Sequence, residues 1–406
     1  MLPSKRRIAA EPIVTLKPRR LLTVGHSYVV GINRRLAHAM QQHGRGRWEI
    51  LCVAPTYFHG CNDLRPVTFA ALPDEACPVR AVPAYLTRLV HLFGYSWPKL
   101  CGILQGRWDV VHAWEEPYIF AGAQIAALTP RSSRFVFRTA QSLMKWYPPP
   151  FNFLERYVLS RSSGWICSGR LVAQVLQARP GYADKPQRTI PLGVDTTTFR
   201  PEPAAGHKTR QALGWTEPGP PVVGYLGRFV PEKGLAVLMQ ALQDLRTPWR
   251  ALFVGNGPML AELRTWAQRF PDRVRLCTDV LHDKVPAYLN AMDVLTAPSQ
   301  TTPRWREQFG RMLIEAMACG VPVVGSDSGE IPFVIGDAGR VLPEADPAAW
   351  TTALADLLES PARRAELAAR GLQRACDRFA WPVVARQHLD FFDEILDYGS
   401  PLSLNF

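Results

Sequence analysis

The chain has 406 residues, 47% of them hydrophobic and 20% charged, and a formal net charge of +12. That length accommodates two domains, and the composition excludes a disordered chain. No run of eighteen apolar residues occurs, so no membrane-spanning helix is expected, and no two of the eight cysteines form a C-x-x-C pair that would suggest zinc or redox chemistry.

The opening MLPSKRRIAA is basic but lacks the apolar core of a secretory leader, which makes cytoplasmic residence the default expectation. RLLTVGHS then reads as a first strand, INRRLAHAMQQHG as a helix closed by Gly44, and WEILCVAP as a second strand. YLTRLVHLFGYSWPKL mixes Arg88, His91 and Lys99 with aromatics; it fits a core helix followed by a turn, or a segment lying against a membrane interface. DVVHAW with YIFAGAQIAAL, RFVFRTAQS with FNFLERYVLSRSS, and GWICSG with LVAQVLQA follow as strand and helix pairs, broken at Pro180 and Gly181. The second half gives five more strands: PVVGYLG, RALFVGNG, RVRLCTDV, DVLTAPS and VPVVGSD. Helices separate them, and 347–379 reads as helices with a break near Ser360 and Pro361. Short apolar runs alternating with amphipathic segments predict an α/β architecture built on parallel sheets.

The charge is uneven. Residues 1–188 hold 25 lysines and arginines against 10 acids, and the remainder holds 22 against 25. A basic first half suits an anionic partner: a phospholipid surface, a phosphate-bearing acceptor or a nucleic acid. No recognised nucleic-acid module accompanies the charge, so a nucleic-acid partner is not expected. The apolar settings of cysteines such as Cys52 and Cys319 predict buried free thiols.

The densest chemistry lies in RWREQFGRMLIEAMACGVPVVGSDSGEIP. Glu307 precedes a Phe-Gly step, and Glu315 sits inside the apolar helical run that follows. Packing of that run against a sheet would turn both acids toward one cleft. Upstream, GYLGRFVPEKG places Arg228 just after a strand and Lys233 before Gly234, two cations suited to a diphosphate or, alternatively, to an exposed basic turn. The helix opening at Gly310 and Arg311 would add unpaired N–H groups to the same anion.

This pattern, with TIPLGVDTTTFRPEP between the halves, resembles retaining glycosyltransferases of family 4, which have the GT-B fold. The resemblance implies two Rossmann-like domains facing across a cleft: an acceptor-side domain over 1–188, a nucleotide-sugar domain over 189–383, and a helix over 384–406 that crosses back to the first. It implies that Glu307 contacts the transferred sugar, with Arg228 and Lys233 on the diphosphate as the other catalytic groups. On the donor, Glu315 would hold the ribose, Gly310, Arg311 and Met312 the phosphates, and Gly255 and Leu281 the nucleotide end. Gly255 in G-x-G is equally a tight turn. Gly31, His26 and Gln141 fall on the acceptor or sugar side; His26 is an acceptor-side base, a hydrogen-bond donor or a structural histidine.

The implied reaction moves a hexose from a UDP- or GDP-linked donor to a hydroxyl acceptor, lipid-linked or anionic, in polysaccharide or glycolipid synthesis. It needs no cofactor and no metal, and it takes place in the cytoplasm, with the basic first domain available to the membrane face. The chain departs from the family in two places: GHSYVVG replaces a Gly-Gly loop, and Gln141 stands where many relatives carry histidine, so this side chain cannot titrate. Two other readings of the same features are a GT-B sugar-nucleotide epimerase and a non-enzymatic binder of nucleic acid or an anionic surface.

Overall fold

The computed structural model describes residues 17–59, 66–215 and 218–398. The basic opening segment and Cys61 lie outside the described residues. The first sheet has seven parallel strands: β1 (Arg19–Val24), β2 (Trp48–Pro55), β3 (Val79–Val82), β4 (Val110–Ala113), β5 (Arg134–Thr139), β6 (Gly164–Cys167) and β7 (Gln187–Thr189). Their order across the sheet is β7-β6-β5-β4-β1-β2-β3. Six parallel strands form the second sheet: β8 (Val222–Leu226), β9 (Arg250–Val254), β10 (Val274–Cys277), β11 (Val294–Ala297), β12 (Val323–Ser326) and β13 (Gly339–Leu342). They run in the order β10-β9-β8-β11-β12-β13.

Both sheets therefore begin in the middle and wind outward in two directions. The crossover direction reverses between β1 and β4 in one sheet and between β8 and β11 in the other. At such a switch point the loops leaving the strand C-termini diverge and open a crevice, the usual ligand position in this architecture.

The central strands are apolar because helices cover both faces. Leu21, Leu22 and Val24 of β1 and Val110 and Val111 of β4 are wholly buried. The three strands absent from the sequence reading, β3, β7 and β13, lie at sheet edges. Their residues VRAV, QRT and GRVL are mostly half-buried or exposed and carry arginine, so they give no apolar run.

The core-helix option for residues 85–100 is not what forms. Ala84–Tyr85 pairs with Gly94–Tyr95 in a two-residue ribbon, turns fill the space between, and a helix begins only at Trp97. Gly94 lies where a Cβ would press on the Phe120 ring. The thiols read from apolar settings, Cys52 and Cys319, are buried and free as expected. Cys77 and Cys167 are buried too, but Cys101 and Cys277 are half-buried and Cys376 is exposed. Among the described residues no helix is long and apolar enough to cross a membrane.

Helix α1 (Gly31–His43) and the last described helix, α2 (Trp381–Asp397), pack side by side against the first sheet. Leu36, Met40 and Trp48 share one core cluster with Val384, Leu389 and Phe392. Arg138 of β5 fastens this arrangement from inside. It is 3% exposed and donates to the carbonyl of Ile190 (3.0 Å) and to His388 Nε2 of α2 (3.0 Å). Burial pulls its pKa down to about 10, yet it remains the cation on which sheet, interdomain linker and last helix converge. Arg138→Met should strand a buried carbonyl and an imidazole nitrogen, lowering the stability of the first domain by about 3 kcal/mol. Urea unfolding followed by tryptophan fluorescence would measure the loss.

Candidate functional site

In the second domain the backbone places the charged groups before any side chain turns. The chain leaves β8 through Gly227 and Arg228, then forms the short turn Pro231–Lys233. Gly234 follows with φ +71, and a Cβ there would run into the Pro298 carbonyl beyond β11. Lys233 is thereby held at the switch point. On its other side helix α3 (Arg311–Ala318) begins at Gly310, whose φ of +80 lets the chain turn sharply into the helix. No side chain caps this start, so its first N–H groups face outward with the positive end of the dipole.

These elements line a cavity of about 340 Å³. Arg228, Lys233, Glu307, Arg311 and Glu315 all face it. Glu307, 6% exposed, accepts from Lys233 Nζ (2.5 Å) and Ser299 Oγ (2.9 Å). Lys233 Nζ also lies 4.9 Å from the centre of the Trp305 ring. Glu315, 4% exposed, pairs with His282 Nε2 at 3.1 Å. Arg311 reaches across to the first domain and donates to Asn33 Oδ1 (2.8 Å). Burial lowers the Arg311 pKa, and the Glu315 carboxylate opposes that shift. Arg228 is exposed and has no ion pair among the described residues. Three permanent cations therefore surround two carboxylates; among the described residues Lys233 and Arg311 have partners, which leaves Arg228, together with the uncapped start of α3, for a ligand.

The first domain presents a second cluster at its own switch point. His26 follows β1 and Glu115 follows β4. The Glu115 side chain is fully buried and accepts from His26 N (2.6 Å), His26 Nδ1 (2.5 Å) and Tyr95 Oη (2.8 Å). The His26 ring stacks on Phe58 with centroids 4.8 Å apart, and its side chain keeps 27% of its surface exposed. With Nδ1 committed to Glu115, Nε2 is the nitrogen left to meet a ligand. Burial lowers the His26 pKa, but the charge and hydrogen bond of Glu115, helped by Glu116, outweigh it and raise the value overall. Glu116 accepts from Thr139 Oγ1 (2.5 Å) and Ala140 N (2.7 Å), and burial raises its pKa despite them.

The cavity thus gathers Arg228, Lys233, Glu307, Gly310, Arg311, Met312 and Glu315 from the sequence reading. Gly255 is not in its lining; its φ is +152 and a Cβ would strike the Gly227 carbonyl, so it supports the loop that carries Arg228. Leu281 is 69% exposed beside the cavity, and its neighbour His282 is the residue that faces in. Gly31 opens α1 next to Ile32, which touches the cavity. Gln141 is buried, and its amide donates to Tyr147 Oη at 2.5 Å. Arg34, one turn into α1, is turned away: it pairs with Glu75 and donates to the carbonyls of Tyr28 and Ala70. His282, Glu115 and Glu116 escaped the sequence reading. The one signal for the acids was their adjacency at the end of a strand.

The family model described as glycosyl transferases group 1 matches residues 220–360. The GDP-mannose-dependent alpha-(1-6)-phosphatidylinositol monomannoside mannosyltransferase of Mycolicibacterium smegmatis is 37% identical over 201 residues, 47% of this chain and 52% of that one. The match therefore spans about half the length of that relative. The 2-deoxystreptamine glucosyltransferase of Streptomyces kanamyceticus is 30% identical over 322 residues, 78% of this chain and 74% of the other. Among solved structures, Anabaena HepE in complex with UDP and glucose aligns with a TM-score of 0.70 at 18% identity, covering 93% of this chain and all of that one. A glycosyltransferase from Rickettsia africae aligns at 0.73 and 15%, covering 95% of this chain and all of that one. The fold is GT-B.

Neutralising Glu115 would leave burial opposed only by Glu116 at His26. Glu115→Gln should drop the His26 pKa from above to below the ordinary histidine value, an outcome that ¹H–¹⁵N NMR titration of the imidazole reads directly.

Proposed function

The chain belongs to the group 1 glycosyltransferases, and on that premise we propose that it is a retaining hexosyltransferase of family 4 using a UDP- or GDP-linked sugar. The convergence of Glu307 and Glu315 on one cavity with Arg228, Lys233 and the start of α3 carries this reading. The diphosphate takes Arg228, Lys233 and the N–H groups after Gly310; Glu315 takes the ribose hydroxyls; Glu307 takes hydroxyls of the sugar. As the bond from the anomeric carbon to phosphate breaks, its electron pair moves onto the phosphate oxygen, where these preorganised cations and dipoles stabilise it. The acceptor hydroxyl attacks from the same face and gives its proton to that oxygen, which accounts for retention without an enzymic nucleophile. In this reading the two cations and the helix start meet the charge that a metal would otherwise meet.

The Lys233–Glu307 pair gives binding a cost and a direction. Donor entry exchanges the Glu307 carboxylate for phosphate at Lys233 and frees Glu307 for the sugar. The first domain supplies the acceptor face, with His26, held by Glu115, and Gln141 as its polar groups. That GDP-mannose and phosphatidylinositol mannoside name the substrates of one relative favours a lipid-linked acceptor here.

The surface agrees with that choice. Leu86, Leu89, Leu92, Trp97, Trp146 and Phe153 are all exposed, Trp146 by 82%. Within residues 85–104 and 142–161 the one acid is Glu155, buried and paired with Arg179, against Arg88, Lys99, Lys145, Arg156 and Arg161. Exposed leucines and aromatic rings among cations without exposed acids suit an anionic bilayer surface. His91 packs on Tyr118, which stacks on Tyr147, the partner of Gln141, so this surface runs into the cleft.

Thermal unfolding in the presence of a panel of sugar nucleotides tests the donor site. At least one should stabilise the protein, and Glu315→Ala should weaken that donor roughly tenfold or more, since each charge-assisted hydrogen bond contributes about 1.5–3 kcal/mol. Glu307→Ala should also lower turnover; full retention of donor binding by Glu315→Ala would remove the ribose assignment. Co-sedimentation with vesicles of phosphatidylglycerol in phosphatidylcholine tests the surface. Binding should fall with added salt and with Leu89→Glu/Leu92→Glu, whereas equal binding to neutral vesicles would remove the electrostatic part.

A further inference from the structure

Glu330 lies beyond β12 and is only 1% exposed, yet its carboxylate serves the other domain. Oε1 accepts from the N–H groups of Leu171 (2.5 Å) and Val172 (3.2 Å), and Oε2 from that of Arg170 (3.1 Å). These are the first-turn donors of the helix Arg170–Gln177 in the first domain, whose own N-cap is Gly169 and supplies no side-chain acceptor. A residue of the second domain therefore caps a helix of the first, with its negative charge at the positive end of the dipole. The fit is close: a Cβ on Gly169 would stand inside the Glu330 carboxyl group.

The backbone of the same residue faces the opposite way. Glu330 N donates to the Glu307 carbonyl (3.0 Å). Gly329, with φ +58, brings the chain against Glu307 where a Cβ would collide with that carbonyl. One residue thus connects the backbone of a cavity acid to the first domain. Two more bonds across the cleft start from the same stretch: Arg306 donates to the Ser142 carbonyl and Arg311 to Asn33. Burial raises the Glu330 pKa against the three N–H groups and Arg306, so the buried carboxylate depends on these partners.

We propose that Glu330 is a positioning residue for the transfer step, which closes the cleft onto the helix Arg170–Gln177 and sets Glu307 in its working place in one movement. This rests on the glycosyl-transfer reading for its consequence, though not for its geometry. The linkage is mechanical. If the helix start withdraws, Glu330 loses three hydrogen bonds, and the loop that fixes the Glu307 backbone loses its anchor. All the residues lining the donor cavity except Ile32 belong to the second domain, so its charged groups stay together when the clamp opens.

Glu330→Ala and Glu330→Gln should therefore leave donor-induced thermal stabilisation unchanged while lowering kcat about tenfold to a hundredfold, the effect of an ångström-scale misplacement. Small-angle scattering of the donor-bound protein should show a larger radius of gyration than wild type. Gly169→Ala, on the other domain and with Glu330 intact, should reproduce both changes. The double variant should be no worse than either single one, because both remove the same contact. A kcat within twofold of wild type, or a lowered kcat with unchanged scattering and non-overlapping single effects, would reduce Glu330 to a helix cap and overturn the proposal. If wild-type protein releases no nucleoside diphosphate from any sugar nucleotide, the transfer reading fails instead, and the scattering comparison between wild type, Glu330→Ala and Gly169→Ala still decides the clamp.

Discussion

Two carboxylates that are almost wholly buried must be answered by charge or by hydrogen bonds, and most of the cleft follows from that requirement. Glu307 is answered by Lys233 and Ser299, and Glu315 by His282, with Arg311 at the mouth of the same helix. Unanswered, either acid would cost several kcal/mol or give up its charge. The turn at Gly234, the left-handed entry at Gly310 and the exit of β11 are the backbone conditions that bring those partners within reach. The two carboxylates are thus compensated from within the protein, and a ligand that takes Lys233 competes with the protein's own ion pair.

The same condition recurs across the cleft. Glu115 has three donors, Glu116 has two and Glu330 has three. Each of these acids follows the C-terminal end of a parallel strand, where the loops diverge and backbone N–H groups are available. Buried acid at the strand exits, held by donors from another element, is the common construction of both domains.

What the sequence made legible depended on how far the partners lie apart. Central strands such as β2 and β4 were visible because helices bury both faces, and the edge strands β3, β7 and β13 were not because their mostly half-buried or exposed residues include arginine. Glu307 and Glu315 could be read as a pair because eight positions along one loop and helix bring them together. His26 and Glu115 are 89 positions apart and meet only because β1 and β4 are neighbours in the sheet. Glu330 and its three donors span about 160 positions and two domains. Arg34 shows another side of the same rule: although it lies in the first turn of a helix that meets the cleft, Glu75 and three backbone carbonyls hold it inside.

The last described helix closes a core that the first strand opened. Residues 381–395 complete the cluster around Leu21, Met40 and Trp48, while residues 194–375 between them build a core of their own. During synthesis the second domain therefore has all its strands before the first can cover one face of its sheet. That face, with Ile50, Val110 and Ile166 upon it, waits until residues 381–395 have been made. Domains that are contiguous in sequence fold in the order they emerge; here the first domain is completed only after the second has all its strands, and a stretch of apolar sheet stays bare in the interval.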